Sequence, residues 1–504
     1  MLHADLPPSL ELEYVHALKR VEVFLDGQPL RKWSLFAGSG LSAKVMPVLS
    51  LFYADKYCVS LNCITDVFAE NNQKKQDSLI EQHPSVDICV SEVAHLKGVL
   101  AQNKKTGIPR TLLPPVGLMD IGVPCTSRTS LSSKCAQNID CVQLEKDATG
   151  NGFRDAKDVT FTHNPDMAAF ECVLNLTQKS SPTATSDAEW MCQQYRLRKW
   201  FATYMCLDTG DFGGWVDRRR CWWAMLRELL GDDAVVTAWF SRLITAFKLG
   251  GFAFDLPLVH DSAERRKVAN SLGMPLMADF GPRESRNKQE NCDWKTDHFG
   301  IFRANDEQWP IPDFSDTGSH IEYNPFLPRE REVAYALDRF FPPMADIEFV
   351  DVNPVIGRIL SGHLDEDMKV KPNTTPWRPT SPTQVGSGKL VCRYTLTGRD
   401  AHAWAPKRYG IRVLEPWESM RMIGWSDCFW SHPRDKTWSL EDMELLHNIA
   451  GNAFCIFHLV PWLCAMFATW GKFRRDAAEA PGERDLPNVG NDGDQDSLSE
   501  PESD

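Results

Sequence analysis

Short apolar runs alternate with helical stretches through the first half of the chain, a pattern that predicts a layered α/β domain over residues 33–230. Strands are predicted at 33–36, 66–70, 116–121 and 167–173. Helices are predicted at 41–51 and, within an N-terminal extension spanning 1–32, at 10–23. Beyond Trp222-Trp223 the alternation fades and a helical stretch is predicted over 225–249. Residues 250–400 are rich in Pro, Asn, Asp and Trp and show little periodicity. We therefore read 231–408 as a second, irregular domain or insertion, with a Pro- and Thr-rich loop at 372–388. Regular structure returns at Tyr409, so 409–475 is read as a return to the first domain, closing on an apolar helix at 445–470. The tail, 476–504, has the composition of a disordered segment.

The eighteen residues 453–470 carry no formal charge, a length at which a membrane span has to be weighed. His458 and Pro461 interrupt them and Gly451-Asn452 stands at their head, so a buried helix is the expectation, with no membrane partner. A net charge of −13 argues against a nucleic-acid partner until its distribution is seen. Residues 476–504 hold ten acids and one base, net −9, which leaves −4 for the rest. Between Lys371 and Arg412 there are eight bases against one acid, Asp400, with Trp377, Tyr394, Trp404 and Tyr409 among them. Such a mix suits phosphate contacts and base stacking, or else is a plain solvated basic loop. Fifteen cysteines include no Cys-x-x-Cys pair, so no metal site is expected. Their odd number and irregular spacing, with no evident signal peptide, fit free thiols in a reducing, intracellular compartment.

Four islands can carry chemistry. Ser34-Leu-Phe36-Ala-Gly38-Ser-Gly40 follows a predicted strand and precedes a helical run. Glycines there permit tight turning and close backbone approach to a ligand, although an isolated Gly-x-Gly also caps helices. An acid that meets a ribose lies about twenty residues on; Asp55, Asp66 and Glu70 are the choices, and Glu70 ends an apolar run as such an acid should. Asp120-Ile-Gly122-Val-Pro124-Cys125 sets a cysteine on a Pro turn after an apolar run. A thiol attacks as its thiolate, which cationic neighbours favour. The hydroxyl-rich residues 126–133, with Arg128, supply donors and charge, while the alternative is a small buried residue among fifteen like it. Glu171 closes an apolar strand, where a carboxylate is costly without a partner or a task; otherwise it is a strand-end acid in water. Arg218-Arg219-Arg220 lead into a bulky apolar run. In a strand Arg218 and Arg220 share a face, aimed at one polar site or solvated.

In order, spacing and local wording these islands resemble the cytosine-C5 methyltransferases. The likeness covers roughly 30–220 and 409–470 and is carried by eight motifs. Phe36–Gly40 resembles the cofactor-binding first motif, Glu70 its ribose-binding acid, and Val90-Ser-Glu92-Val the motif whose acid meets the adenine. Gly122-Val-Pro124-Cys125 is similar to the nucleophile motif, Glu171-Cys-Val173 to Glu-Asn-Val, and Val216-Asp-Arg218-Arg-Arg220 to Gln-x-Arg-x-Arg. Arg412-Val-Leu-Glu-Pro-Trp-Glu418 with Ile423-Gly-Trp425 resembles the ninth motif, and Ala450-Gly-Asn452-Ala the last, whose helix packs beside the cofactor. Thr126 stands where the family has Gln, Cys172 where it has Asn, and Val216 where it has Gln.

The resemblance implies a Rossmann-like α/β domain dependent on S-adenosylmethionine, with an irregular target-recognition domain. It implies Cys125 as nucleophile on cytosine C6, Glu171 at N3, and Arg218 and Arg220 steadying the O2 side and the cysteine loop. The cofactor would meet Phe36, Gly38, Gly40, Glu70, Glu92, Gly122, Pro124 and Asn452. The target base must be flipped from its stack to be reached, and DNA contacts are expected from Arg128, Arg378, Lys389, Arg393, Arg399, Lys407 and Arg408. A DNA substrate implies the nucleus. Two alternatives stay open: an RNA substrate of the tRNA kind, although that branch's Cys-Phe-Thr signature is not found, and a degenerate relative that binds without turnover.

Overall fold

The computed structural model describes residues 6–112, 116–125, 137, 139–214, 216, 218–249, 259, 262–280, 320–321, 347–351, 390–396, 408–432 and 435–475. Strands β1 (Leu30–Leu35), β2 (Cys63–Ala69) and β3 (Ile88–Val90) run parallel. A small hairpin, β4 (Leu100–Gln102) and β5 (Pro109–Thr111), stands apart. β6 (Leu118–Gly122) and β7 (Met167–Val173) continue the parallel set, while β8 (Phe201–Asp208) and β9 (Arg219–Leu226) complete the sheet, with β9 antiparallel to both its neighbours. The order across the seven strands is β3-β2-β1-β6-β7-β9-β8. It reverses direction at β1, so the carboxyl ends of β1 and β6 flank the crevice where a doubly wound sheet receives ligands.

Both faces of this sheet are covered, so its central strands read as continuous apolar runs rather than alternating ones. Every residue of β7 is buried. Met167 and Ala169 join one core with helices α1 (Pro8–Leu25) and α2 (Leu41–Tyr57). Ala168, Phe170 and Cys172 join the opposite core. There they meet α4 (Asp147–His163) and α5 (Asp187–Arg196), which follow α3 (Gln73–Gln82) in the chain. The same division separates Trp222, Ala224 and Leu226 of β9 from Cys221, Trp223 and Met225.

The predicted helical stretch at 225–249 is corrected. β9 runs through Leu226, and the helix, α6, begins only at Asp233 and ends at Leu249. A buried strand of bulky residues has no period that separates it from a buried helix. After α7 (Ser262–Ser271) comes a second, four-stranded sheet of order β10-β13-β12-β11. Its strands are β10 (His320–Ile321), β11 (Ile347–Asp351), β12 (Leu390–Leu396) and β13 (Arg408–Val413). α8 (Pro416–Met422) follows. The predicted helix at 445–470 is in fact two, α9 (Leu440–Asn452) and α10 (Ile456–Phe473), bent by 45° at the break. α10 packs on α1, α2 and α6, with every residue from Phe457 to Gly471 buried. Among the described residues no single helix is long and apolar enough to cross a membrane, although α9 and α10 together match by length and composition. The tail and the loop at 372–388 lie outside the described residues.

Candidate functional site at the carboxyl edge of the sheet

The glycine turn leaves β1 with three positive φ angles in five residues: Phe36 at 54°, Gly38 at 57° and Gly40 at 70°. Gly40 must stay small for a second reason. A Cβ there would stand 2.4 Å from Nε2 of His83, which contacts the Ser39 carbonyl oxygen at 3.2 Å. Burial pushes the His83 pKa down to about 3, so its ring is neutral. Glu70 lies one residue past the end of β2, where its carboxylate accepts from Gly38 N and Asn72 N, each at 3.1 Å. The Gly38 bond locks the turn to the end of the next strand, and the Asn72 bond fixes the carboxylate that makes it.

The chain's C-terminal part closes over the same spot. A Cβ on Gly38 would lie 3.9 Å from the Asn452 carbonyl oxygen. One on Gly122, the last residue of β6, would meet the Phe454 ring at 3.2 Å and the Phe36 carbonyl oxygen at 3.5 Å. Behind them, Gly152 of α4 leaves room for Val123, Pro124 and the Phe36 ring. The structure therefore brings Phe36, Gly38, Gly40, Glu70, Gly122, Pro124 and the backbone of Asn452 together. Glu92 is exposed two residues past the carboxyl end of β3, next to a 3-10 turn at Val93–Lys97. The Asn452 side chain is also exposed, bonded to Asn448.

Cys125 stands three residues beyond β6, half-buried against the core on the α4 face. The Cys172 thiol donates to it and holds its pKa down at about 7, with help from Arg220 and Arg218, against burial and the Glu171 charge. Cys172 is itself fully buried and stays protonated, pushed well up by desolvation. Its sulfur also lies 3.8 Å from the Val123 carbonyl oxygen. Glu171, only 7% exposed, is paired across the β7–β9 ladder with Arg220, Nε to Oε1 at 2.9 Å.

Arg218 and Arg220 both lie close enough to Cys125 to favour its thiolate, but they are held by different partners. β9 begins at Arg219, and Arg218 turns into the protein to donate to the carbonyls of Gly451 and Ala453, both at 2.8 Å. These carbonyls are at the break between α9 and α10, where helical partners are lost. Arg218 thus replaces them and fixes the bend.

Sequence reasoning missed a buried network beneath the turn. Lys32 of β1 meets Asp120 of β6 at 2.9 Å and Ser42 of α2 at 2.7 Å; Ser34 and Ser42 both donate to Asp120. The signal was present: Asp120 is a carboxylate inside an apolar run, like Glu171, and needs a partner for the same reason. Of the basic residues named for nucleic acid, Arg393 lies in β12 and Arg408 in β13, while Arg128, Arg378, Lys389, Arg399 and Lys407 lie outside the described residues. Arg412, counted in that basic segment, is fully buried and clamped by both oxygens of Glu418 at 2.6 and 2.7 Å.

Sheet and turn together define a Rossmann-like α/β fold. No family model and no curated protein matches the chain. Among solved structures it is similar to the Dnmt2 methyltransferase of S. pombe at 10% identity and a TM-score of 0.38, covering 87% of this chain and 98% of that one. The Entamoeba histolytica methyltransferase EhMeth is similar at 9% identity and 0.36, covering 87% and 98%. A putative DNA modification methyltransferase from an E. coli prophage gives 14% and 0.36, covering 88% and 98%.

Proposed function

We propose that the protein is a cytosine-C5 methyltransferase acting on DNA. The observation that carries this reading is the meeting, at one sheet edge, of a glycine turn with a thiol poised near neutrality and an Arg-held carboxylate. S-adenosylmethionine suits the turn: Gly38 and Gly122 leave cradles that a Cβ would narrow, and Glu70 keeps lone pairs for a ribose diol after its two backbone bonds. When bound, the cofactor supplies an electrophilic methyl group to the activated C5.

The residues of the chain do the rest. Cys125 attacks C6 as a thiolate, which breaks aromaticity and loads electron density onto C5. Glu171, oriented by Arg220, meets N3 and holds the developing charge. Arg218 acts indirectly, by fixing the 451–453 bend beside the turn. Loss of the C5 proton and of the thiol restores the ring. Cys125 sits near Glu171, Arg220 and Arg218 in spite of the three departures at 126, 172 and 216, which favours turnover over a purely binding relative.

A covalent adduct with a 5-fluorocytosine oligonucleotide tests the reading, since fluorine at C5 blocks release of the enzyme. A Cys125-linked adduct with duplex DNA is expected; trapping with tRNA instead moves the substrate to RNA, and trapping with neither removes the enzymatic assignment.

A further inference from the structure

Cys125 is one end of a row. Cys172 of β7 stands directly opposite Cys221 of β9, and Cys221 stands directly opposite Cys206 of β8, the sheet's last strand. Directly opposite residues of antiparallel strands have Cα atoms about 4.5–5.5 Å apart, inside the range a disulfide spans. Side chains of such pairs leave the sheet on the same side, so these sulfurs share the face that carries α4 and α5. The Cys221 thiol bonds to Cys206, and the Cys172 thiol bonds to Cys125. Cys206 is exposed, Cys172 and Cys221 are buried, and Cys125 is half-buried. The register places the cysteines of β7, β9 and β8 in consecutive cross-strand pairs, and among the described residues no group of three His, Cys, Asp or Glu could hold a metal ion.

We propose that Cys206, Cys221, Cys172 and Cys125 form a thiol–disulfide relay through which a hydroperoxide acting at the sheet edge converts the reactive thiol into a Cys125–Cys172 disulfide. The steps balance. The Cys206 thiolate attacks a peroxide oxygen and becomes a sulfenic acid, and water leaves when the peroxide is hydrogen peroxide. Cys221 attacks that sulfur, forming the S–S bond and releasing a second water. Cys172 gives its proton to the neighbouring Cys125 thiolate, attacks the Cys221 sulfur and expels Cys206 as a thiolate. Cys125 finally attacks the Cys172 sulfur, and Cys221 takes up the proton from Cys125. The peroxide is reduced by two electrons and one disulfide results, moved inward by exchange. Consecutive cross-strand pairing suits this, because each exchange step passes the disulfide to the next neighbouring sulfur. Cys206 is the natural entry: it is exposed, and the Cys221 thiol lowers its pKa to about 7. The inference rests on the strand register, exposure and mutual contacts of these four cysteines and stands apart from the methyl-transfer reading.

The full chain is treated with limiting hydrogen peroxide, free thiols are blocked with N-ethylmaleimide, and disulfide-linked peptides are quantified by mass spectrometry over time. The Cys206–Cys221 link should appear first and the Cys125–Cys172 link later. Cys206→Ser, at an exposed position, should slow the inner link about tenfold. Cys428→Ser, at another exposed thiol, should leave its rate unchanged. An inner link that forms equally fast in Cys206→Ser overturns the relay, as does Cys125 recovered as a sulfinic acid or free thiol with no link to Cys172. None of these readouts depends on methyl transfer, so an inactive enzyme leaves the relay standing and an absent relay leaves the enzyme assignment untouched.

Discussion

The two ends of the candidate site are built from different materials. At the glycine turn the chain relies on backbone: positive φ angles at Phe36, Gly38 and Gly40, and the Gly38 N–H locked onto Glu70. At the thiol end it relies on side chains whose charges set one another, Cys172 and Arg220 acting on Cys125, and Arg220 on Glu171. A cradle made of backbone is rigid and its loss is felt as lost fold. A reactive centre made of coupled side chains is adjustable, and its loss is felt as lost rate.

The sharpest way to break this contrast is Cys125→Ala, which should reduce methyl transfer to background while the thermal midpoint and cofactor affinity stay near wild type. Retained activity in a radiolabel assay rules out this nucleophile. Arg220→Ala comes next. It leaves Glu171 without its partner and should lower kcat about a hundredfold, with stability much less affected; a change in the unfolding midpoint alone would place Arg220 in the scaffold instead. At the other end, Glu70→Ala removes one charge-assisted bond to the turn at Gly38 and one to Asn72, and should cost about 3 kcal/mol in denaturant unfolding, together with cofactor binding. Equal stability with weakened binding would mean that the turn holds its shape without the acid. The smallest effect concerns pH. Cys125 should be alkylated by iodoacetamide with a midpoint at about 7, the rate rising with pH as the thiolate forms. Cys172→Ala removes the donor that favours the thiolate, so the midpoint should move upward by about one unit, roughly tenfold in rate below it. An unmoved midpoint would assign the low value to the arginines.

Much of the fold was legible. Strands predicted at 33–36, 66–70, 116–121 and 167–173 correspond to β1, β2, β6 and β7, shifted by a few residues at their ends. The shift at β2 has a consequence: the strand stops at Ala69, which frees Glu70 to reach back to Gly38. The sequence misled where burial on both sides erases periodicity, at β9, and where a bend needs a partner from elsewhere, between α9 and α10. Among site residues the turn, thiol and carboxylate could be named from local wording. Lys32, His83 and Phe454 could not, because each matters only through what lies across from it.

By itself the sequence determined which chemistries are available: a glycine turn, a thiol on a Pro turn, a strand-end carboxylate and three arginines, in that order along the chain. Tertiary structure alone decided how they are used. Arg218 and Arg220 are two residues apart, yet one clamps the carbonyls of a broken helix and the other holds Glu171. Cys172 stands 47 residues from Cys125 and 49 from Cys221, yet it touches the first and faces the second. The reason is physical: covalent order fixes residue identity, whereas charge, proton affinity and sulfur contact depend on distances that only the packing of β6, β7 and β9 sets.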